Sequence, residues 1–233
     1  MKAIIFLSAL FLLFINGCSK DDSTTNPVNG QNTVTDVDGN VYHTVKIGTQ
    51  TWIVENLKVS KYRNGDPIPN ITDNSQWMDQ WDSGAYCKYD NSVGSGNTYG
   101  YLYNFSAVND SRKIAPLGWH VPTAEEWETL INSLGSPSDV GGYLKESGTS
   151  HWNSPNEGAV NSTGFTALPG GRHNTYGGAQ GGFVDIGEAG FWWTSSREGT
   201  LNPHNISIEH SSKAITAGYG WSTCGYSIRC VKD

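Results

Sequence analysis

The sequence offers little material for long helices, and this limits its fold more than any other feature. Glycine occupies 28 positions, and asparagine and serine recur with it between short apolar segments. Nine tryptophans and eleven tyrosines supply the large side chains that a core requires. There is no heptad pattern and no repeat of solenoid length. We therefore expect a loop-rich domain of short strands, with aromatic side chains filling the core.

The N-terminus has the pattern of a secretory signal. Lys2 is the only charged residue before Lys20, and thirteen residues, 3–15, are apolar except for one serine. A transmembrane helix needs about 20 apolar residues, so this run fits a signal peptide better. Gly17-Cys18 resembles the end of a bacterial lipobox. We predict a signal peptide at 1–17 and a lipid on Cys18; the alternative is an ordinary signal peptide with a chance cysteine.

Residues 18–32 form a polar stretch that we predict to be a flexible tether, because it has too few apolar side chains to pack. Acidic residues directly after the lipidated cysteine, Asp21-Asp22, resemble the surface-export signal of Bacteroidetes lipoproteins. The alternative is a linker that only adds solubility. The sequence thus predicts an outer-membrane-anchored, surface-exposed lipoprotein with the lipid as its membrane partner, and a folded domain at 33–233.

The net charge of −7 and the absence of any lysine or arginine cluster argue against a nucleic-acid partner. Proteins that bind nucleic acid neutralise phosphates with basic side chains, and this chain has no such stripe. The sequence therefore predicts no nucleic-acid partner.

Residues 33–54 alternate apolar and polar side chains, with turn residues at Asp38-Gly39 and Gly48-Thr49. This pattern predicts a three-stranded β-meander. The run at 36–40 superficially resembles the start of a calcium loop, but the twelfth position of such a loop requires an acidic residue and holds Ile47. The hairpin turn is the favoured interpretation.

One helix has clear boundaries. Thr123 and Glu126 form a capping-box pattern, and Gly135 is a natural helix end. Between them, four apolar residues recur at helical spacing: Trp127, Leu130, Ile131 and Leu134. A second, weaker helix is predicted near 140–146.

Residues suited to catalysis or metal binding do not form a recognisable set. The histidines show no ligand spacing, and His120 is interpreted as a buried residue with its hydrogen bonds satisfied. Cys87, Cys224 and Cys230 remain after Cys18, so at most one intramolecular disulfide can form, with three alternative pairings. We predict no catalytic residue, no metal and no cofactor.

A series of motifs follows along the chain: TWIVENLKVSKYRNGDPIP, AYCKYDN, TYGYLYNFSAVND, PLGWHVPTAEEWETLIN, GGYLKESGTSHW, GFTALPGGRH, GFWWTSS and GYSIRCVKD. In this order they resemble the Fibrobacter succinogenes major paralogous domain. The resemblance covers about residues 34–233. It implies membership of the formylglycine-generating-enzyme and C-type-lectin-like superfamily. The fold would be α+β and loop-rich, with one or two main helices and short, mostly antiparallel strands, the first pairing with the last.

The resemblance also bears on the cysteines. Family members often carry cysteine at the positions of Cys87 and Cys230, which implies a disulfide between them and leaves Cys224 as a free thiol. Formylglycine-generating enzymes bind copper with two cysteines, and only Cys224 and Cys230 could imitate that pair. Because Cys224 has no recognisable motif around it, such an oxidase remains the alternative and a non-enzymatic domain is preferred.

C-type-lectin-like folds display variable loops that recognise glycans or proteins. The predicted ligand-binding residues are Arg172, His173, Tyr176 and Trp221, with a further loop at 197–205, because aromatic rings beside polar loops suit either ligand. The calcium-lectin motifs E-P-N and Q-P-D are absent. Trp192 and Trp193 are expected to fill the core. We therefore expect an adhesion or ligand-binding lipoprotein; a purely structural envelope component is the other alternative.

Overall fold

The computed structural model describes residues 32–176, 181–199 and 202–233. The predicted signal peptide at 1–17, Cys18 and the tether up to residue 31 lie outside the described residues. Within the described part, no helix is long and apolar enough to cross a membrane.

The described chain contains short helices and many short strands. The α-helices are α1 (Asn74–Met78), α2 (Val93–Tyr99), α3 (Phe105–Val108), α4 (Ala124–Leu134) and α5 (Pro137–Leu144), with a 3-10 helix at Tyr89–Asn91. The strands are β1 (Thr33–Thr35), β2 (Val41–Ile47), β3 (Gln50–Ile53), β4 (Tyr86–Cys87), β5 (Leu102–Tyr103), β6 (Trp119–His120), β7 (Gly170–Asn174), β8 (Gly182–Ile186), β9 (Ala189–Glu198), β10 (Asn202–Glu209), β11 (Ile215–Tyr219) and β12 (Val231–Lys232).

The strands form two five-stranded sheets, in the orders β1-β2-β3-β12-β6 and β11-β10-β9-β7-β8, and a small β4-β5 ladder. Only β7 and β9 pair in parallel among the named strands of the described part. The predicted α+β class with short, mostly antiparallel strands is confirmed. The expected pairing of the first and last strands is wrong: β12 pairs with β3, at Val231 and Trp52, and β1 stays at the sheet edge.

The predicted meander is confirmed as β1, β2 and β3. Its first turn is fixed by Asp36, whose carboxylate accepts the backbone N–H groups of Asp38 and Asn40 and the hydroxyl of Tyr42. Burial, followed by the hydrogen bond to Asp36, raises the pKa of Tyr42 far above its usual value. The Asp36 carboxylate is thus committed to the turn, as the hairpin interpretation required.

Helix α4 begins and ends where the capping pattern predicted. Thr123 accepts the N–H of Glu126, and the Glu126 carboxylate accepts the N–H of Thr123. Gly135 ends the helix with a positive φ of 123°. Trp127 and Leu130 are fully buried. The second helix, α5, begins three residues earlier than predicted, at a proline that suits the first turn.

Tryptophans fill the core, as the composition suggested. Trp52 and Trp127 pack with ring centroids 4.8 Å apart, and Trp127 also contacts Trp192. Trp193 packs against Tyr226, with centroids 4.3 Å apart. Trp192 and Trp193 are both fully buried, so their predicted place in the core is confirmed.

A buried guanidinium joins three distant segments. Arg229 donates from Nε to the Asn56 side chain, and from its terminal nitrogens to the carbonyls of Ile53, Phe165 and Thr166. Its guanidinium also lies 4.4 Å from the ring centroid of Phe165. Burial lowers its pKa to about 9. This side chain connects the meander, the loop before β7 and the C-terminal segment.

A second buried cation organises the region around α5. Lys145 is fully buried, and its ammonium donates to the carbonyls of Glu157, Glu209 and Ser212 at 2.8–3.0 Å. Burial lowers its pKa to about 8. All three ammonium protons are therefore used to tie irregular backbone together.

The disulfide predicted between Cys87 and Cys230 does not form in this structure. Of the described cysteines, Cys87, Cys224 and Cys230 are all free and buried. Cys87 packs in the cluster around Trp77, whereas Cys230 belongs to a different cluster, so the fold keeps the two thiols in separate parts of the core. Burial raises the pKa of both thiols.

The His120 ring lies between the carboxylates of Asp233 and Glu126. Its side chain is 38% exposed, whereas the sequence analysis expected it to be buried. One ring nitrogen lies 2.7 Å from the Asp233 carboxylate and the other 2.8 Å from that of Glu126. Partial burial lowers the pKa of His120, but the hydrogen bonds to Asp233 and Glu126 outweigh it and leave the pKa raised.

This raised pKa predicts a pH-dependent contribution to stability. The folded state binds the proton more tightly than the unfolded state, so the stabilisation is complete below pH 6.5 and is lost as the pH rises through the folded-state value. Because the site is partly exposed, we expect His120→Gln to cost only about 0.5 kcal/mol at low pH, and less at pH 8. Melting temperatures of both proteins from pH 5 to 9 test this; parallel curves would contradict it.

Candidate functional site

The predicted ligand-binding residues begin on strand β7. Gly171 starts this stretch with a φ of +62°, and a Cβ there would lie 2.5 Å from the Val184 carbonyl oxygen, so only glycine fits. Successive side chains on a strand point to opposite faces, so Arg172 and His173 diverge. The two residues were predicted to act together, and the strand separates them.

His173 faces the core. It is 3% exposed and packs between Trp77 and Phe183, with ring centroids 4.9 Å away from each. Burial lowers its pKa to about 4, so the ring is neutral at physiological pH. Its side chain thus packs inside the domain, and His173 is not part of the exposed surface that Tyr176 and Trp221 form.

Tyr176 and Trp221 form an exposed aromatic pair. Their ring centroids are 4.4 Å apart and their planes are inclined by 43°. Tyr176 is 40% exposed and Trp221 is 50% exposed, so the pair presents a large apolar area to solvent. The two residues lie 45 positions apart in the chain, and the fold brings them together as predicted.

The pair rests on a rigid support. A Cβ at Gly220 would come within 2.9 Å of both Trp193 and Tyr226, so the backbone beside Trp221 lies directly on the core. On the other side, Asn174 accepts the N–H of Tyr176 at 3.1 Å. Side chains mounted in this way lose little entropy on binding.

Arg172 lies beside the pair and is half-buried. Its guanidinium stacks 4.6 Å from the ring centroid of Phe191, and its Nε lies 2.7 Å from the Asp185 carboxylate. Phe191 in turn packs against Tyr226, with ring centroids 5.4 Å apart. Burial lowers the pKa of Arg172, but the charges of Asp185 and Tyr226 outweigh it and raise that pKa. The guanidinium is thus fixed and permanently charged.

Arg172 also forms one wall of an open groove of about 430 Å³. The groove runs between the β8–β9 turn and the end of β10. Its other lining residues are mostly polar: Asp185, Glu188, Ala189, Phe191, Glu209, His210 and Ser211. We call this the polar groove.

Sequence reasoning missed the polar groove, because its residues come from strand ends with no motif of their own. The sequence feature that could have indicated it is Gly187, whose φ of +77° allows the tight turn that connects β8 to β9. The predicted loop 197–205 is instead mostly strand, ending β9 and starting β10. Its residues 200 and 201 lie outside the described part.

Among the described residues, no group of three or more histidine, cysteine, aspartate or glutamate side chains is placed to hold a metal ion. The thiols proposed as an oxidase pair, Cys224 and Cys230, are fully buried. Cys224 lies 3.4 Å from the Thr175 hydroxyl, below the aromatic pair.

The fold and the site define an α+β domain with an exposed aromatic pair beside a polar groove. The chain belongs to the Fibrobacter succinogenes major domain family, whose profile matches residues 45–232. No curated protein and no solved structure matches the chain.

Proposed function

We propose that the protein is a lipoprotein of the cell envelope, anchored in the outer membrane and exposed at the surface, whose domain binds a glycan or protein without catalysis. The observation that carries this proposal is the Tyr176–Trp221 pair: two half-exposed rings on a rigid support beside a fixed guanidinium. Aromatic and arginine side chains of this kind dominate binding energies at interfaces. We further propose that the fold is of the C-type-lectin and formylglycine-generating-enzyme type.

The state of the thiols favours binding over oxidase chemistry. A thiolate that binds copper or reacts must be accessible and easily deprotonated. Cys230 is fully buried and its pKa is raised mainly by burial, and Cys224 is also fully buried. A formylglycine-generating-type oxidase would need both thiols at the surface of a cleft.

The proposed lipid anchor is inferred from the sequence of residues 1–32, and a count of the free thiols tests it. In denaturant without reductant, we expect three reactive thiols per chain, because Cys18 of the four cysteines is blocked by lipid and the other three are free. Before denaturation we expect none. Four thiols after denaturation would contradict lipidation, and one would show that two core cysteines are joined.

The binding site is tested by removing its rings. We expect Tyr176→Ala with Trp221→Ala to weaken ligand binding by tenfold or more, roughly 1.4 kcal/mol, because the stacked area is lost. The measurement is capture of glycans from an array and of proteins from envelope extracts. Trp81→Ala is the matched control, since Trp81 is 69% exposed and contacts no other described ring.

Binding that the double variant retains in full would contradict the proposed site. Absence of any ligand for the parent chain would favour the alternative of a structural envelope component. Stoichiometric copper bound by cysteine would instead support the oxidase alternative.

A further inference from the structure

The aromatic pair and the polar groove meet at Arg172. Phe191, over which Arg172 stacks, packs against Tyr226 with ring centroids 5.4 Å apart, and the Tyr226 hydroxyl lies against Gly220, the residue before Trp221. Arg172 covers Phe191, which lines the groove. A ligand stacked on the pair therefore reaches the guanidinium and then the groove without leaving the surface.

The charges along this path are mixed. Arg172 is positive and held by Asp185. Glu188 and Glu209 are exposed in the groove, and neither makes an ion pair or side-chain hydrogen bond with the part of the chain described. An anionic ligand would be repelled by the two glutamates, and a cationic one by the guanidinium, and such like-charge contacts strongly oppose binding. A ligand without net charge avoids both costs.

The hydrogen-bonding groups along this path also favour an uncharged ligand. Carboxylates only accept hydrogen bonds, and a guanidinium only donates them. A hydroxyl group does both, so a ligand with many hydroxyls satisfies every polar group along the path. The flat apolar faces of sugar rings suit exposed tyrosine and tryptophan, which combine apolar area with a polar end.

The site is large enough for more than one sugar ring. The groove alone, at about 430 Å³, falls within the range of small-molecule sites, and the aromatic pair extends the surface beyond it. We propose that the site binds a neutral oligosaccharide that stacks on Tyr176 and Trp221 and continues past Arg172 into the polar groove. This inference rests on the proposed function and specifies its ligand.

The test is calorimetric titration of the full chain in detergent with hexasaccharides of defined charge. The neutral probes are the gluco-, xylo-, manno- and galacto-configured hexaoses; chitosan hexamer is the cationic probe and hexagalacturonic acid the anionic one. We expect at least one neutral hexaose to bind about tenfold more tightly than either charged probe and than its own disaccharide. Its affinity should not change with salt, because no net charge is screened.

Two variants separate the alternatives. Trp221→Ala should weaken binding of the neutral hexaose about tenfold, and Glu188→Gln with Glu209→Gln should weaken it severalfold, because two charged acceptors become neutral ones. The affinity of both variants should stay independent of salt. If only a charged probe binds, or if the affinity for the hexaose falls as salt is added, the neutral class of ligand is overturned while the aromatic site stands. If no hexaose binds but a protein does so through Trp221, the ligand class is again overturned. If neither variant changes the affinity for the hexaose, the proposed site and the proposed function are both contradicted.

Discussion

Replacing Arg229 with leucine is expected to lower the free energy of unfolding by about 3–5 kcal/mol, because several buried acceptors lose the hydrogen bonds that the guanidinium donates. The leucine would remove the hydrogen bonds that Arg229 donates to the carbonyls of Ile53, Phe165 and Thr166. It would leave the Asn56 side-chain oxygen with the Trp192 indole as its donor. Each buried group left unpaired costs about 1–3 kcal/mol. Apolar contacts of the leucine cannot offset this cost, because most of the acceptors are backbone carbonyls that stay buried in the variant. Urea unfolding of the variant and the parent chain measures the difference.

The controls distinguish geometry from charge. Arg197→Leu removes an exposed arginine and should change stability by less than about 0.5 kcal/mol. Arg229→Lys keeps the charge but has one nitrogen instead of a planar fork, so it should still lose about 2 kcal/mol. A lysine variant as stable as the parent would show that the forked contacts contribute nothing.

Lys145→Met is expected to destabilise the protein by about 3 kcal/mol. Methionine matches the length of the lysine stem but removes the donor to the carbonyls of Glu157 and Ser212, and leaves the Glu209 carbonyl with only a long bond from the Ser212 N–H. The Lys145 ammonium donates three hydrogen bonds and the Arg229 guanidinium donates four, so we expect a loss no larger than at Arg229. Urea unfolding again gives the value.

Lys46→Met is the matched control, because Lys46 is exposed on β2, and we expect it to change stability by less than about 0.5 kcal/mol. Equal stability of the Lys145 and Lys46 variants would mean that the buried ammonium is not a structural element. Because the carbonyl of Glu209 belongs to a residue of the polar groove, loss of Lys145 should also weaken ligand binding.

The elements that the sequence predicted well are local. The capping box at Thr123 and Glu126 and the turn at Asp38-Gly39 need only neighbouring residues, and both were confirmed. The tryptophans of the core were predicted for a similar reason, since their size leaves few other places for them. The α+β class followed from the motifs and the short segments.

The elements that were missed depend on long-range contacts. Arg229 meets Asn56 across 173 positions, and nothing in either segment shows this. Lys145 was not singled out because lysine is almost always exposed. The sequence does not show which face of β7 packs on the core, so it could not predict that the His173 side chain points inward. The expected disulfide rested on the cysteine positions of family members, and these do not determine how far apart Cys87 and Cys230 lie in this fold.

The central claim is that ligand binding occurs at the Tyr176–Trp221 pair and the polar groove. Hydroxyl-radical footprinting of the full chain, with and without a bound ligand from the array, tests it most directly. We predict that the ligand protects Tyr176 and Trp221 from oxidation while Trp81 and Leu117, exposed elsewhere, react unchanged. Protection of Trp81 or Leu117, with Tyr176 and Trp221 still fully reactive, would contradict the account.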